Sequence, residues 1–145
     1  DAIATARENA KRHGVADRST WLAGDYAALP EGLFDIVVSN PPYIAEPELE
    51  GLPPEVSRHD PLLALSGGTD GLDAYRVLAA RLPALIHPGG FAALEIGLGQ
   101  AEMVTALTMQ HGLERVFVKP DIAGIPRVLL GWNGSTVAPL PHRPC

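Results

Sequence analysis

Apolar positions recur along the chain with two different periods. Ile3, Ala6 and Ala10 share one face of a helix across Asp1–His13, with Asp1 suited to its N-cap and Gly14 to its stop. Thr20–Ala23 is a short strand candidate that ends at Gly24-Asp25. In Phe34–Ser39 the run Ile36-Val37-Val38, bounded by turn signals, predicts a strand buried on both faces of a parallel sheet. Ile44 to Thr69 reads as one long loop containing Pro47, Pro53, Pro54 and Pro61, and loops of that length are functional or disordered. Leu72, Tyr75, Leu78, Ala79, Leu82 and Ile86 trace an amphipathic helix that Pro83 should kink or shorten. His87–Gly90 predicts a turn, Phe91–Ile96 a strand, and Gln100–His111 a helix with Ala101, Val104 and Leu107 inward. Arg115–Val118 and Arg127–Trp132 read as two further strands around a short connection from Pro120 to Pro126.

This alternation predicts an α/β domain with a mainly parallel sheet, whose ligands sit at the carboxyl ends of the strands. Residues 1–132 are expected to form the domain and 133–145 a Pro-rich flexible tail. The chain has no initiator Met and opens at a helix start, so the expectation is a chain lacking its front.

Charge and composition narrow the function. Eleven basic against seventeen acidic residues give a net charge of −6, with no basic stripe of the kind phosphate binding requires. Arg7, Lys11 and Arg12 read as a solvated helix face. Cys145 is the single cysteine, and the five histidines are scattered without close ligand spacing, so no disulfide and no metal site is expected. No apolar run reaches membrane-spanning length and no signal peptide is seen, which places the expected location in the cytoplasm.

The chemistry concentrates in Asn40-Pro41-Pro42-Tyr43, at the end of the most convincing strand. A residue before proline is driven out of the helical region, and proline fixes its own φ. Backbone carbonyls are thereby held in preset directions, and the Asn40 side-chain oxygen adds another acceptor. Two fixed acceptors can hold both hydrogens of a planar –NH2 group, while Tyr43 offers a flat face for an amide or a base. An amide nitrogen is a poor nucleophile because its lone pair is delocalised into the carbonyl. Acceptors pulling on its hydrogens favour the developing tetrahedral nitrogen and aim the lone pair at an incoming methyl group. The bland alternative is a rigid Pro-Pro turn.

Other features read as structural. Gly67-Gly68 with Gly71 lacks the lysine of a phosphate loop and reads as a turn and cap before the Leu72 helix. Glu95 is expected to bond neighbouring groups, Asp121 and Arg127 to pair across the last hairpin, and Trp21 and Trp132 to pack.

Asn40-Pro41-Pro42-Tyr43, with Phe34–Ser39 before it and Ile44 after it, resembles the HemK/PrmC family of release-factor glutamine-N5 methyltransferases. So do Glu55-Val56, Asp60-Pro61, Ala64-Leu65, the run Gly67-Gly68-Thr69-Asp70-Gly71-Leu72 with Tyr75-Arg76, Leu94–Gly97 with Gln100, and Asp121 with Gly124 and Arg127. The opening helix with Ala6–Ala10 fits as well. The resemblance implies a Rossmann-like class I methyltransferase sheet, truncated here by its first two strands. It implies S-adenosyl-L-methionine as donor and the glutamine of a release factor's Gly-Gly-Gln loop as acceptor. Asn40, Pro41, Pro42 and Tyr43 inherit the catalytic grip on the acceptor amide, and Asp25, Tyr26 and Asn40 the cofactor side. The family's Gly-rich loop and ribose-binding acid have no counterpart in these 145 residues.

Two rivals differ in class. Adenine presents a similar planar –NH2 to Asn/Asp-Pro-Pro-aromatic motifs in nucleic-acid adenine-N6 methyltransferases, which extrude the base; the net charge and the Gly-Gly-x-Asp-Gly-Leu run argue against this. A non-enzymatic binding or folding module is the other. Without the Gly-rich loop, the 145-residue chain is expected to be inactive and weakly stable as a monomer; calorimetry showing a tight S-adenosylmethionine complex refutes this.

Overall fold

The computed structural model describes residues 2–26, 29–57 and 60–134. It divides into two compact units, Asp1–Glu31 and Gly32–Cys145.

The first unit opens with helix α1, Ala2–Arg12. Gly14, at φ +66°, takes the left-handed position after it. Its N–H bonds the Lys11 carbonyl at 3.1 Å, and the Val15 N–H bonds that of Ala10 at 2.9 Å. These two bonds form a Schellman stop, as the sequence predicted from Gly14. The expected N-cap, Asp1, lies outside the described residues. A single 3-10 turn follows at Ala16–Arg18. Thr20–Ala23 is not a strand. A strand satisfies its backbone groups only against a neighbour, and among the described residues no strand pairs with this segment.

The second unit holds a four-stranded sheet of order β1-β2-β4-β3. The strands are β1 (Phe34–Ser39), β2 (Ile86–Glu95), β3 (Glu114–Pro120) and β4 (Pro126–Trp132). β1 pairs parallel with β2, whereas β2–β4 and β3–β4 are antiparallel. Within the described sheet the expectation of mainly parallel pairing therefore does not hold. The connection between β3 and β4 is far shorter than the dozen or so residues a parallel crossover needs. It closes on Asp121, whose Oδ1 accepts the N–H groups of Ala123 and Ile125 at 2.9 and 3.0 Å.

β1 lies at the sheet edge and is not buried on both faces. Phe34, Ile36 and Val38 share one side of the strand and are exposed, Val38 by 74%. A β-branched run encodes a strand; whether a second layer covers it is decided elsewhere in the chain.

Among the described residues, four helices lie between β1 and β2. Three are single turns within the predicted loop, namely α2 (Glu46–Leu49), α3 (Pro54–Ser57) and α4 (Leu62–Leu65). The fourth, α5 (Asp73–Leu85), buries Tyr75, Leu78, Ala79, Leu82 and Leu85. It runs only two residues past Pro83 before β2 begins. The predicted turn at His87–Gly90 is absorbed into β2 as a bulge: the pairing jumps from Phe34↔Ile86 to Ile36↔Phe91. Gly90 is required there, since a Cβ would stand 2.5 Å from the Asp35 carbonyl oxygen. Asn133 fastens the bulge, because its Nδ2 donates to the Pro83 and Ile86 carbonyls and its own N–H bonds that of Gly90. Residues 135–145 of the expected tail, Cys145 among them, lie outside the described residues.

Helix α6 (Ala101–Gln110) buries Val104 and Thr108. The Thr108 hydroxyl is satisfied by the Val104 carbonyl at 2.9 Å. Trp132 packs against Phe91 and edge-on against Phe117, with ring centroids 5.5 and 5.9 Å apart, in the packing role expected of it.

Leu82 is fully buried and Leu63 is 91% exposed. Leu82→Ala is expected to cost about 2–5 kcal/mol. Leu63→Ala should stay within about 0.5 kcal/mol. Urea denaturation of the two variants measures the contrast.

Candidate active site

The Asn40–Tyr43 segment leaves the carboxyl end of β1, where an α/β sheet presents its ligands. Pro41 is buried, Pro42 and Tyr43 are half-buried, and Asn40 is exposed. With Ile44, Ala64 and Leu65 these residues line an open cleft of about 160 Å³. Among the described residues, neither the Asn40 side chain nor the Pro41 carbonyl is engaged in a hydrogen bond. The exposed Asn40 side chain is thus left without a partner among the described residues.

The segment is held from behind. The Tyr43 carbonyl accepts Nε2–H of Gln100 at 2.9 Å, and the same Nε2 donates to the Gly71 carbonyl at 3.3 Å. Gln100 Oε1 in turn accepts the Gly97 N–H at 3.0 Å. Beyond the motif, the Ile44 N–H bonds the Leu65 carbonyl at 3.0 Å, and the Ile44 carbonyl accepts the Gly67 N–H at 2.9 Å. A parallel bridge between Ile44 and Ser66 results. The predicted loop is therefore laced to the motif and forms one wall of its cleft. Arg58 and His59 within it lie outside the described residues.

The Tyr43 ring faces inward more than the sequence implied. Its hydroxyl donates to Glu95 Oε1 at 3.2 Å, and a Cβ on Gly97 would meet the ring edge at 3.0 Å. Partial burial and the neighbouring Glu95 carboxylate hold the Tyr43 phenol above its usual pKa. Glu95 takes the structural part expected of it, and its backbone carbonyl accepts the Tyr75 hydroxyl at 2.8 Å. Behind this pair Arg127 reaches the Ile96 carbonyl at 3.2 Å and Asp121 at 3.7 Å, the cross-hairpin pairing anticipated from the sequence.

The Gly67–Leu72 run is a turn, as expected, but its glycines have a tighter duty. A Cβ on Gly71 would stand 2.5 Å from the Tyr43 carbonyl oxygen, and one on Gly67 2.7 Å from the Gly71 carbonyl oxygen. The run must lie flat against the motif. Asp70 accepts the Leu72 N–H at 3.1 Å and pairs with Arg76, which holds its carboxyl below the usual range.

Asp25 and Tyr26 belong to the first unit, Asp25 exposed and Tyr26 half-buried. Gln100 stood among the residues that carry the family resemblance but was assigned no role. One signal was available: a buried-helix pattern that begins on a glutamine directly after Gly97-Leu98-Gly99. Among the described residues no group of three or more His, Cys, Asp and Glu could hold a metal, and no helix is long and apolar enough to cross a membrane.

Residues 1–48 match the model of the RMKL-like, methyltransferase domain family. A release factor glutamine methyltransferase of Rhodospirillum rubrum is 46% identical over 97% of the chain, which covers 43% of that relative. One from Cereibacter sphaeroides is 49% identical over 88% of the chain, covering 46% of it. The chain thus spans about half the length of the curated relatives it matches. A crystal structure of a methyltransferase from Pyrococcus furiosus superposes with TM-score 0.53 at 18% identity, covering 89% of this chain and 58% of that one. That likeness gives the fold, a Rossmann-like class I methyltransferase sheet.

Because the Tyr43 pKa is raised, the folded state binds that proton more tightly than the unfolded chain. Its contribution to stability is full below the ordinary value of 10.0 and is lost as pH rises through the higher folded value. Near-ultraviolet titration should show a late-ionising tyrosine that Tyr43→Phe removes.

Proposed function

We propose that the chain belongs to the release factor glutamine methyltransferase family, to whose members it is 44–49% identical, and that it carries the acceptor-binding half of an S-adenosylmethionine-dependent protein-glutamine N5-methyltransferase. The single observation that carries this is the Asn40–Tyr43 segment at the end of a strand, lining an open cleft with the Asn40 side chain exposed. Two acceptors and no nearby proline N–H suit a ligand that brings two hydrogens of one planar nitrogen. A glutamine side chain does so, and the acceptor of choice is the Gly-Gly-Gln glutamine of a peptide chain release factor.

The residues present fit the acceptor side. For the donor, the chain offers Asn40 at the strand end, with Asp25 and Tyr26 assigned by resemblance; the Gly-rich loop expected to hold it is not among these 145 residues. S-adenosylmethionine would supply an electrophilic methyl group on a sulfonium, the sulfur keeping the broken C–S bond pair as a neutral thioether while the amide nitrogen forms the N–C bond and gives up one N–H proton to solvent. The chain's own residues supply orientation. Asn40 and Pro41 draw on the two amide hydrogens and favour the pyramidal nitrogen over the planar one, which stabilises the transition state more than the ground state. Pro42 keeps Pro41 extended, so these acceptors need little rearrangement during reaction. Tyr43, half-buried and anchored on Glu95, forms the wall against which the amide plane can lie.

The test uses labelled S-adenosylmethionine with a chain of the relatives' full length. Label is expected on a release factor and not on duplex DNA. Asn40→Ala should lower kcat by about 10²–10³-fold, the usual loss when one preorganised polar contact to the reacting group is removed. Label on DNA in place of the factor would favour the adenine reading and sink this one.

A further inference from the structure

The carbonyl of Tyr43 is the last backbone acceptor of the motif, and its direction follows from the peptide chain that also carries the Asn40 and Pro41 oxygens. Nothing in the two prolines can anchor that chain by an N–H, so its anchor must come from another element. Beside the Ile44 bonds to Leu65 and Gly67 and the Tyr43–Glu95 contact, the anchor on the Tyr43 carbonyl itself is Gln100, which is only 8% exposed and immediately precedes α6. Its side chain spends one acceptor and its two donors on three different segments: Gly97 after β2, Gly71 before α5, and Tyr43 after β1.

We infer that Gln100 is a positioning residue for methyl transfer: it fixes the Tyr43 carbonyl and thereby aims the acceptor oxygens of Asn40 and Pro41. The inference rests on the proposed amide-methylating function and adds a residue that never touches the substrate. The side-chain amide can sit only one way round, because the reverse would set Nε2 against the Gly97 N–H and Oε1 against two carbonyls. The fit also explains two glycines at once. A Cβ on Gly97 would stand 2.6 Å from Gln100 Oε1, and one on Gly71 2.6 Å from its Nε2. Glutamate has the same shape but no donor when ionised, so it would turn two attractive contacts into repulsions. A shift of the motif by about 1 Å is enough to cost about 100-fold in rate.

Gln100→Glu in a full-length chain tests this. Expected is a folded protein by circular dichroism, kcat about 100-fold down, and KM for the methyl donor essentially unchanged, the pattern of lost alignment rather than lost donor binding. Wild-type kcat in a folded Gln100→Glu overturns the inference while leaving the proposed function standing. A wild-type protein that methylates no amide removes that function, and this role with it. Should Gln100→Glu fail to fold, the wild-type protein decides. By NMR, the side-chain NH2 protons of Gln100 should exchange with water far more slowly than those of exposed Gln110. Equal exchange at the two glutamines refutes the bracket.

Discussion

Two successive prolines remove two backbone donors from the chain just as it leaves β1, and this shapes the site around it. The same residues that make the segment stiff make it unable to tie itself down. Its carbonyls point where the fixed φ angles send them, and a restraint on those carbonyls must come from a partner that donates. Gln100 supplies donors to the Tyr43 carbonyl and Gly71, while Tyr43 turns its own hydroxyl back onto Glu95. What is left over, at the cleft, is the exposed Asn40 side chain.

That arrangement accounts for the glycines nearby. Gly71 and Gly97 are not hinges; they are places where a Cβ would collide with the Gln100 amide or the Tyr43 carbonyl. The segment between Ile44 and Gly67 is likewise no free loop, since it is bonded to the motif through Ile44, Leu65 and Gly67. Aligning a reacting group is what such over-determined packing can contribute to a reaction, because each lost contact loosens several others.

The sheet shows where local reading stops. β1 appears with the bounds that the Ile36-Val37-Val38 run indicates, and Gly14 ends α1 as its conformational freedom allows. Thr20–Ala23 has the same kind of local signal and forms no strand, because strand formation needs a partner that sequence propensity cannot summon. Burial of β1 failed as an expectation for a related reason: Val38 is as apolar as any core residue, yet it is 74% exposed. The bulge at His87–Gly90 was legible as a turn signal but not as part of a strand, since Asn133 and Asp35 decide it from afar.

By itself the sequence determined the stiffness of Asn40–Tyr43 and the helical faces of α5 and α6. These follow from φ restriction and side-chain periodicity, which act over a few neighbouring residues. Only the tertiary structure decided that Gln100 braces the motif, that Tyr43 spends its hydroxyl on Glu95, and that the connecting loop walls the cleft. Those contacts join residues about fifty positions apart, and no local periodicity or propensity encodes which distant carbonyl a buried amide will meet.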